Sequence, residues 1–278
     1  MLTNFNKILG DAYHSKYAVG SFNVYNYETM RGVADAAKEL SQPLIIAFGE
    51  KYLENMSLEA AYGIVNALLG DGDIPVCLHL DHASNMDNVY RAIKVGFGSV
   101  MYDGSALPFE ENMTNTKRVC EIAHACDVSV EAELGSLAAG AHSHEGTADD
   151  KEIYTDPEKA KEFVEFTKVD ALAVSIGTVH GLYKGEPNAR VDILKEINEA
   201  VGIPLVLHGG SGTPEDIISD CIKNGISKIN INTEISMHVV EQSAKLLVDK
   251  KPHYSVLSLK QAEWAKEIVI KYAKLFRR

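Results

Sequence analysis

Short runs of β-branched and other apolar residues recur along the chain. Each is entered from a Gly, Pro, Asp or Lys turn and followed by a segment whose apolar positions have helical spacing. Eight runs carry this signature, at residues 18–22, 44–48, 76–80, 99–102, 128–133, 171–176, 205–208 and 228–231. Amphipathic stretches lie between them, among them 28–40, 58–69, 86–95, 112–125, 157–167 and 214–223. Pro157 and Pro214 stand where a first helical turn tolerates a missing N–H. Strands alternating with helices imply parallel neighbours joined by right-handed crossovers, and eight repeats is the number that closes a barrel. The pattern predicts an α/β protein of the TIM (β/α)8 barrel class. It has an extra N-terminal helix near 3–14 and additional C-terminal helices near 234–249 and 258–276. No linker or low-complexity tract divides the chain, so residues 1–278 are expected to form a single barrel domain.

An open doubly wound sheet shares the alternation, but it would place a ligand at one switch point only. A closed barrel delivers reactive side chains from nearly every strand to one rim. The residues following the runs are Asn23, Glu50, Asp81 with His82, Asp103, Glu131 with Glu133, His180, His208 with 209–212, and Asn230 with Asn232 and Thr233. The strand starts carry Pro43, Pro75, Asp127, Asp170 and Pro204, which form turns and end helices. This asymmetry favours a barrel enzyme with its site on one rim.

Composition narrows the function. The chain has 278 residues, 46% hydrophobic and 24% charged, the make-up of an ordinary globular protein. Lys plus Arg is 27 against 39 for Asp plus Glu, a formal charge of −12, which argues against a nucleic-acid partner. The first twenty residues have no signal-peptide core, and no apolar run approaches the ~18 residues of a membrane span, so neither secretion nor a membrane partner is expected. Cys77, Cys120, Cys126 and Cys221 lack C-x-x-C spacing and read as reduced thiols of a cytoplasmic protein.

Three histidines, His82, His180 and His208, fall at the ends of different strands. A single His near an apolar run is usually a satisfied core or rim residue. Three brought to one mouth match the count of a catalytic zinc, with three protein ligands and one open place. His79 lies within the third run and reads as interior packing. His142 and His144 sit in the Gly- and Ser-rich segment 136–150, where a solvated surface is as good a reading as a metal role. Asp81, Asp103, Glu131 and Glu133 flank the proposed ion as anchors, alternative ligands or proton carriers. Alternation puts Glu131 and Glu133 on one strand face, which fits a helix-capping role poorly. The stretch from His208 through Gly209, Gly210, Ser211 and Gly212, with Asn230 to Thr233 after the eighth run, has the glycines, hydroxyls and helix starts of a phosphate grip. Loops after the seventh and eighth strands are where such barrels hold phosphate. No lysine directly follows strands five to seven, Lys184 lies beyond His180, and Lys228 opens its run, so metal chemistry is favoured over a Schiff base.

These segments closely resemble the class II, zinc-dependent ketose-bisphosphate aldolases, the family of fructose- and tagatose-bisphosphate aldolases. The resemblance is carried in family order by Tyr17-Ala-Val-Gly-Ser-Phe-Asn23, Leu78-His-Leu-Asp-His82, Val100-Met-Tyr-Asp-Gly-Ser105 and Val130-Glu-Ala-Glu-Leu-Gly135. It continues through Gly177-Thr-Val-His-Gly181, Leu205-Val-Leu-His-Gly-Gly-Ser211 and Lys228-Ile-Asn-Ile-Asn-Thr-Glu234. It implies an aldehyde-lyase that reversibly cleaves a ketose 1-phosphate or 1,6-bisphosphate to dihydroxyacetone phosphate and an aldehyde. By the same resemblance His82, His180 and His208 hold Zn2+, Asp81 handles the C4 hydroxyl proton, and Glu133 with Asp103 forms an alternative or second metal position. Asn23, Gly181, Gly209, Gly210, Ser211, Asn230, Ile231, Asn232 and Thr233 contact substrate, with Na+ or K+ nearby, and relatives are homodimers or homotetramers.

Three departures stand out. Where the family has Gly-Gly followed by acids, this chain has Ala138-Ala-Gly-Ala-His-Ser-His-Glu145, leaving Glu145 as the second acid/base. Gly49-Glu50 replaces a serine or threonine after the second strand, and residues 252–257 contain no arginine for a distal phosphate. The far end of the substrate is therefore expected to be unphosphorylated or held by another subunit. Two rival functions are a metal-dependent hydrolase, which needs no phosphate grip, and an assembly subunit that has lost the loop base.

Overall fold

Parallel strands covered by helices are buried on both faces, and β-branched side chains pack well on such a surface, which is why the apolar runs become strands. In the computed structural model, which describes residues 1–142, 153–183 and 188–277, they form a closed barrel. Its first four strands are β1 (Val19–Asn23), β2 (Leu44–Gly49), β3 (Val76–Ala83) and β4 (Ser99–Tyr102). The others are β5 (Ser129–Leu134), β6 (Ala171–Val174), β7 (Leu205–Leu207) and β8 (Ile226–Ile231). Every neighbouring pair is parallel and in chain order, and β8 closes on β1 with Val19 beside Lys228 and Phe22 beside Ile231. The closed ring excludes the open-sheet alternative. Because β8 starts at Ile226, Lys228 lies inside the strand rather than opening it.

The helices are α1 (Asn6–Ser15), α2 (Tyr27–Leu40), α3 (Leu58–Leu69), α4 (Met86–Val95) and α5 (Phe109–Ala125), then α6 (Pro157–Thr167), α7 (Val191–Val201), α8 (Glu215–Lys223), α9 (Thr233–Asp249) and α10 (Tyr254–Leu275). Side chains of Asn26, Ser57, Asn85 and Asp156 accept first-turn N–H groups at the starts of α2, α3, α4 and α6. α7 and a 3-10 turn at Glu50–Glu54 lie outside the stretches picked out by periodicity.

Two helices outside the repeat decide where the site sits. α1 plugs the barrel's N-terminal end, where Phe5, Ile8, Leu9 and Ala12 pack on Val19, Ile45, Cys77, Ala171, Ala173 and Val206. That leaves the C-terminal rim open. α10 packs against α2 and β1, covering the wall where the ring closes. Gly32 permits this approach, since a Cβ there would stand 2.8 Å from both the Ala262 carbonyl and the Ala265 methyl. α9 buries only Thr233 and Ile235.

Candidate active site

Along β3, alternation would send Asp81 and His82 to opposite faces of the wall. A β-bulge prevents it. Leu80 pairs with Val100 and Ala83 with Tyr102, so three steps on β3 match two on β4, and His82 adopts a left-handed φ of 47°. The extra residue turns the imidazole to the mouth while Asp81 stays inside. A non-glycine residue at positive φ is uncommon, and here it coincides with the chemistry.

His82 Nδ1 lies 2.9 Å from Asp103 Oδ2, and the same Asp103 accepts the N–H and O–H of Ser105. His180 does not stand on β6. It follows in a short parallel pair, Val179–His180 against Ala138–Ala139, anchored by the Gly140 N–H donating to the His180 carbonyl at 2.6 Å. His208 immediately follows β7. The ring centroids are 4.5 Å apart for His82 and His208, 5.2 Å for His82 and His180, and 5.9 Å for His180 and His208. The three offer ligand atoms all within 4.8 Å of one another, and His82, Asp103 and Glu133 meet the same limit. Ligand atoms this close together are within reach of one divalent ion. Asp103 behind His82 and Glu131 behind His208 are the carboxylate partners that metal-bound imidazoles ordinarily have. The donor set fits a divalent cation.

Below the rim is a buried polar layer. Glu131 Oε1 lies 3.0 Å from His208 Nε2, and the Lys228 ammonium sits 2.8 Å from Oε2 and 3.1 Å from Oε1 of the same carboxylate. Burial opposes charge on Glu131, but the Lys228 ammonium and the His208 hydrogen bond outweigh it and hold the carboxyl at about 2. Burial and neighbouring His82 oppose charge on His208, yet Glu131 and Glu133 raise that ring to about 9, so the carboxylates draw positive charge to this position. His79 donates or accepts at Ser99 Oγ, 2.9 Å away, and burial with the Lys228 charge keeps it neutral. It is the interior residue its sequence position suggests.

Asp81 is 1% exposed and accepts the Asn23 amide at 2.8 Å and the Asn230 amide at 3.2 Å. Burial works against its charge, but the His82 and His79 imidazoles and Lys228 hold it ionised well below the usual carboxylate range.

After β7 the chain turns tightly. Gly209 has φ 73°, with the Val179 carbonyl where its Cβ would be, and the Gly210 N–H donates 3.1 Å to the Asn230 carbonyl, tying the loop to β8. Ser211 Oγ accepts the Glu234 N–H at 3.3 Å, and Glu234 in turn accepts the Gly212 N–H at 3.0 Å. Gly209, Gly210 and Ser211 thus lie beside the N-terminus of α9, where backbone N–H groups and the helix dipole suit an anion.

The sequence profile of the class-II fructose-bisphosphate aldolase family matches residues 3–278. The chain belongs to this family. It is 38% identical over 248 residues to a sulfofructosephosphate aldolase of Alkalicoccus urumqiensis, covering 89% of this chain and 86% of that protein. The YdjI aldolase of Escherichia coli K12 superposes with a TM-score of 0.88 at 36% identity, over 99% of this chain and 97% of the other. A fructose-bisphosphate aldolase of Campylobacter jejuni, at 24% identity and a TM-score of 0.82 over 99% and 95% of the two chains, shares the fold. The protein is an aldolase, an aldehyde-lyase of class II.

In this aldolase the fold gathers His82, His180, His208, Asp103 and Glu133 into one cluster and sets Asp81 between Asn23 and Asn230. Gly181 follows His180 with φ 97°, Ile231 is buried in β8, and Thr233 opens α9. Asn232 is engaged by two tyrosines: the Tyr25 hydroxyl donates to its Oδ1 at 2.5 Å, and its Nδ2 donates to the Tyr52 hydroxyl at 3.2 Å. Motif reading misses those tyrosines, and it includes Lys228 without giving it a place in the site. Lys228 shares its strand face with Asn230 by alternation, the one signal that points to it. Glu145, like His144 and Lys184, lies outside the described residues. Glu50 faces the start of α4, accepting from Ser84 N and Oγ, Asn85 N and Asn88 Nδ2. Among the described residues no helix is long and apolar enough to cross a membrane.

Proposed function

We infer that this aldolase cleaves a ketose 1-phosphate to dihydroxyacetone phosphate and an aldehyde, using Zn2+ held by His82, His180 and His208. The observation that carries the reading is the convergence of three imidazoles, two of them backed by carboxylates, above an ionised and buried Asp81. Bound zinc supplies Lewis acidity toward the ketose carbonyl. Asp81, steadied by two amides, takes the C4 hydroxyl proton as the C3–C4 bond breaks. Gly181, Gly209 to Ser211 and Asn230 to Thr233 bind the 1-phosphate with neutral donors, which reconciles an anionic substrate with a chain of net charge −12. Na+ or K+ accompanies that phosphate. Glu133 with Asp103 offers the zinc an alternative position, and Glu145, in its acid form, gives its own proton to C3 of the three-carbon product while Asp81 keeps the C4 hydroxyl proton until product leaves.

Residues 252–257 carry no arginine to meet a second phosphate, which favours a far end without one. A relative named for a sulfofructose phosphate supports that preference. The free thiols of Cys77, Cys120, Cys126 and Cys221 favour a cytoplasmic setting. Exposed Met237, Val240 and Val248 on α9 and Tyr254 and Leu259 on α10 favour a homodimer or homotetramer. An aldehyde-release screen across ketose 1-phosphates and 1,6-bisphosphates, with and without chelator, tests the proposal. Chelator-sensitive cleavage of 1-phosphates, restored by zinc, is expected. Cleavage indifferent to chelation contradicts the metal role, and a strong bisphosphate preference contradicts the distal reading.

A further inference from the structure

Lys228 is fully buried inside the barrel, an unusual place for an ammonium. Its Nζ reaches no solvent and cannot serve as a nucleophile at the mouth. It lies 2.8 Å and 3.1 Å from the two oxygens of Glu131, itself fully buried on the opposing inner face of β5. The stem of Lys228 ends over the Phe5 ring of the α1 plug, 5.8 Å from its centroid, so the ammonium is pinned from below. The same Glu131 faces His208 Nε2 at 3.0 Å and stands 3.7 Å from His79 Nε2. An imidazole that binds a metal through one nitrogen carries one N–H, on the other. An acceptor at Nε2 assigns that proton to Nε2 and leaves the Nδ1 lone pair for a ligand. His208 Nδ1 is the nitrogen on the Glu133 side, 3.3 Å from Glu133 Oε2 and outside hydrogen-bonding geometry with it.

We propose that Lys228 is a positioning residue for the metal site: it anchors the Glu131 carboxylate, which holds the tautomer and ring orientation of His208 so that Nδ1 faces the ion. The inference rests on the reading of His208 as a zinc ligand. Without the ammonium, the carboxylate is free to turn toward His79, and His208 loses the partner that fixes its ring. Outer partners of metal-bound histidines typically change affinity by about 10–100-fold. The fully buried ion pair also explains why a lysine sits in a strand otherwise made of Ile, Ser and Asn.

The test is zinc affinity, by competition with a chromophoric chelator, together with the visible spectrum of the cobalt-substituted protein. The native protein and His208→Ala come first, because failure of the native protein to bind zinc, or tight binding by His208→Ala, sinks the underlying reading rather than this one. Lys228→Met is expected to weaken zinc binding about 10–100-fold and to alter the cobalt spectrum. Adding Glu131→Gln removes the unpaired charge while keeping an acceptor at His208, and is expected to restore affinity to within about threefold of native. Native-like affinity in a folded Lys228→Met protein overturns the proposal, as does failure of the second substitution to restore it. If Lys228→Met does not fold, two charge-free doubles decide. Lys228→Met with Glu131→Leu must bind zinc at least about 10-fold more weakly than Lys228→Met with Glu131→Gln, and equal affinities overturn the proposal.

Discussion

Replacing Asp81 with Asn gives the sharpest separation of chemistry from binding. The carboxylate accepts one amide N–H from Asn23 at 2.8 Å and another from Asn230 at 3.2 Å. Asparagine is nearly the same size, but it offers one oxygen where the aspartate offers two. One of the two amides must then face an NH2 group. An unsatisfied buried donor costs about 1–3 kcal/mol, and at about 2–4 °C per kcal/mol for a chain of this size the melting temperature should fall by roughly 2–12 °C. The catalytic loss is larger. A positioned general base contributes about 10²–10⁴-fold, so Asp81→Asn should raise the barrier by about 3–5 kcal/mol. Steady-state cleavage of the best ketose 1-phosphate, with zinc content measured on the same sample, reads both effects. A kcat lower by at least about a hundredfold, with KM and zinc occupancy within a few-fold of native, is expected. A zinc-loaded variant that turns over within about threefold of native refutes the assignment of Asp81 as the base.

Gly210→Ala should raise KM for phosphorylated ketoses about tenfold, roughly 1.4 kcal/mol, because its Cβ would stand 2.5 Å from Ile229 Cγ2 and lift the loop off β8; an unchanged KM would count against the phosphate grip. Glu50→Ala removes the acceptor for Ser84, Asn85 and Asn88 and should cost about 1–3 kcal/mol in urea unfolding with substrate preference unchanged. A shifted preference would mean that Glu50 also meets the substrate. Burial pushes the thiols of Cys77, Cys120 and Cys221 up to about 12, so only exposed Cys126 should react quickly with a disulfide reagent in the folded protein. A second fast thiol in the native state would contradict the packing.

Alternation of apolar runs with amphipathic stretches was enough to locate the barrel, because strands buried on both faces leave a signal that neighbouring helices do not share. Residues at strand ends were legible for the same reason: His82, His208, Asp81 and Glu133 each stand at or next to the end of a run. His180 was harder, since it belongs to an excursion beyond β6 whose pairing with Ala138–Ala139 no periodicity announces. Lys228 and the tyrosine pair at Asn232 depend on chain closure. Nothing local to β8 says that β5 lies across the interior, or that Tyr25 and Tyr52 converge on Asn232 from separate loops. The bulge at His82 has no local marker either; it follows from the register between β3 and β4. Glu50 shows how a carboxylate at a strand end can serve the next helix rather than a ligand, accepting from Ser84, Asn85 and Asn88.

In the zinc-loaded protein His82, His180 and His208 should close on a single ion. Diffraction data collected on both sides of the zinc absorption edge, from crystals of zinc-loaded protein, test it most directly. One anomalous peak about 2.1 Å from a nitrogen of each of the three rings is the expected result. A peak held by other residues, or none at full zinc loading, would contradict the account.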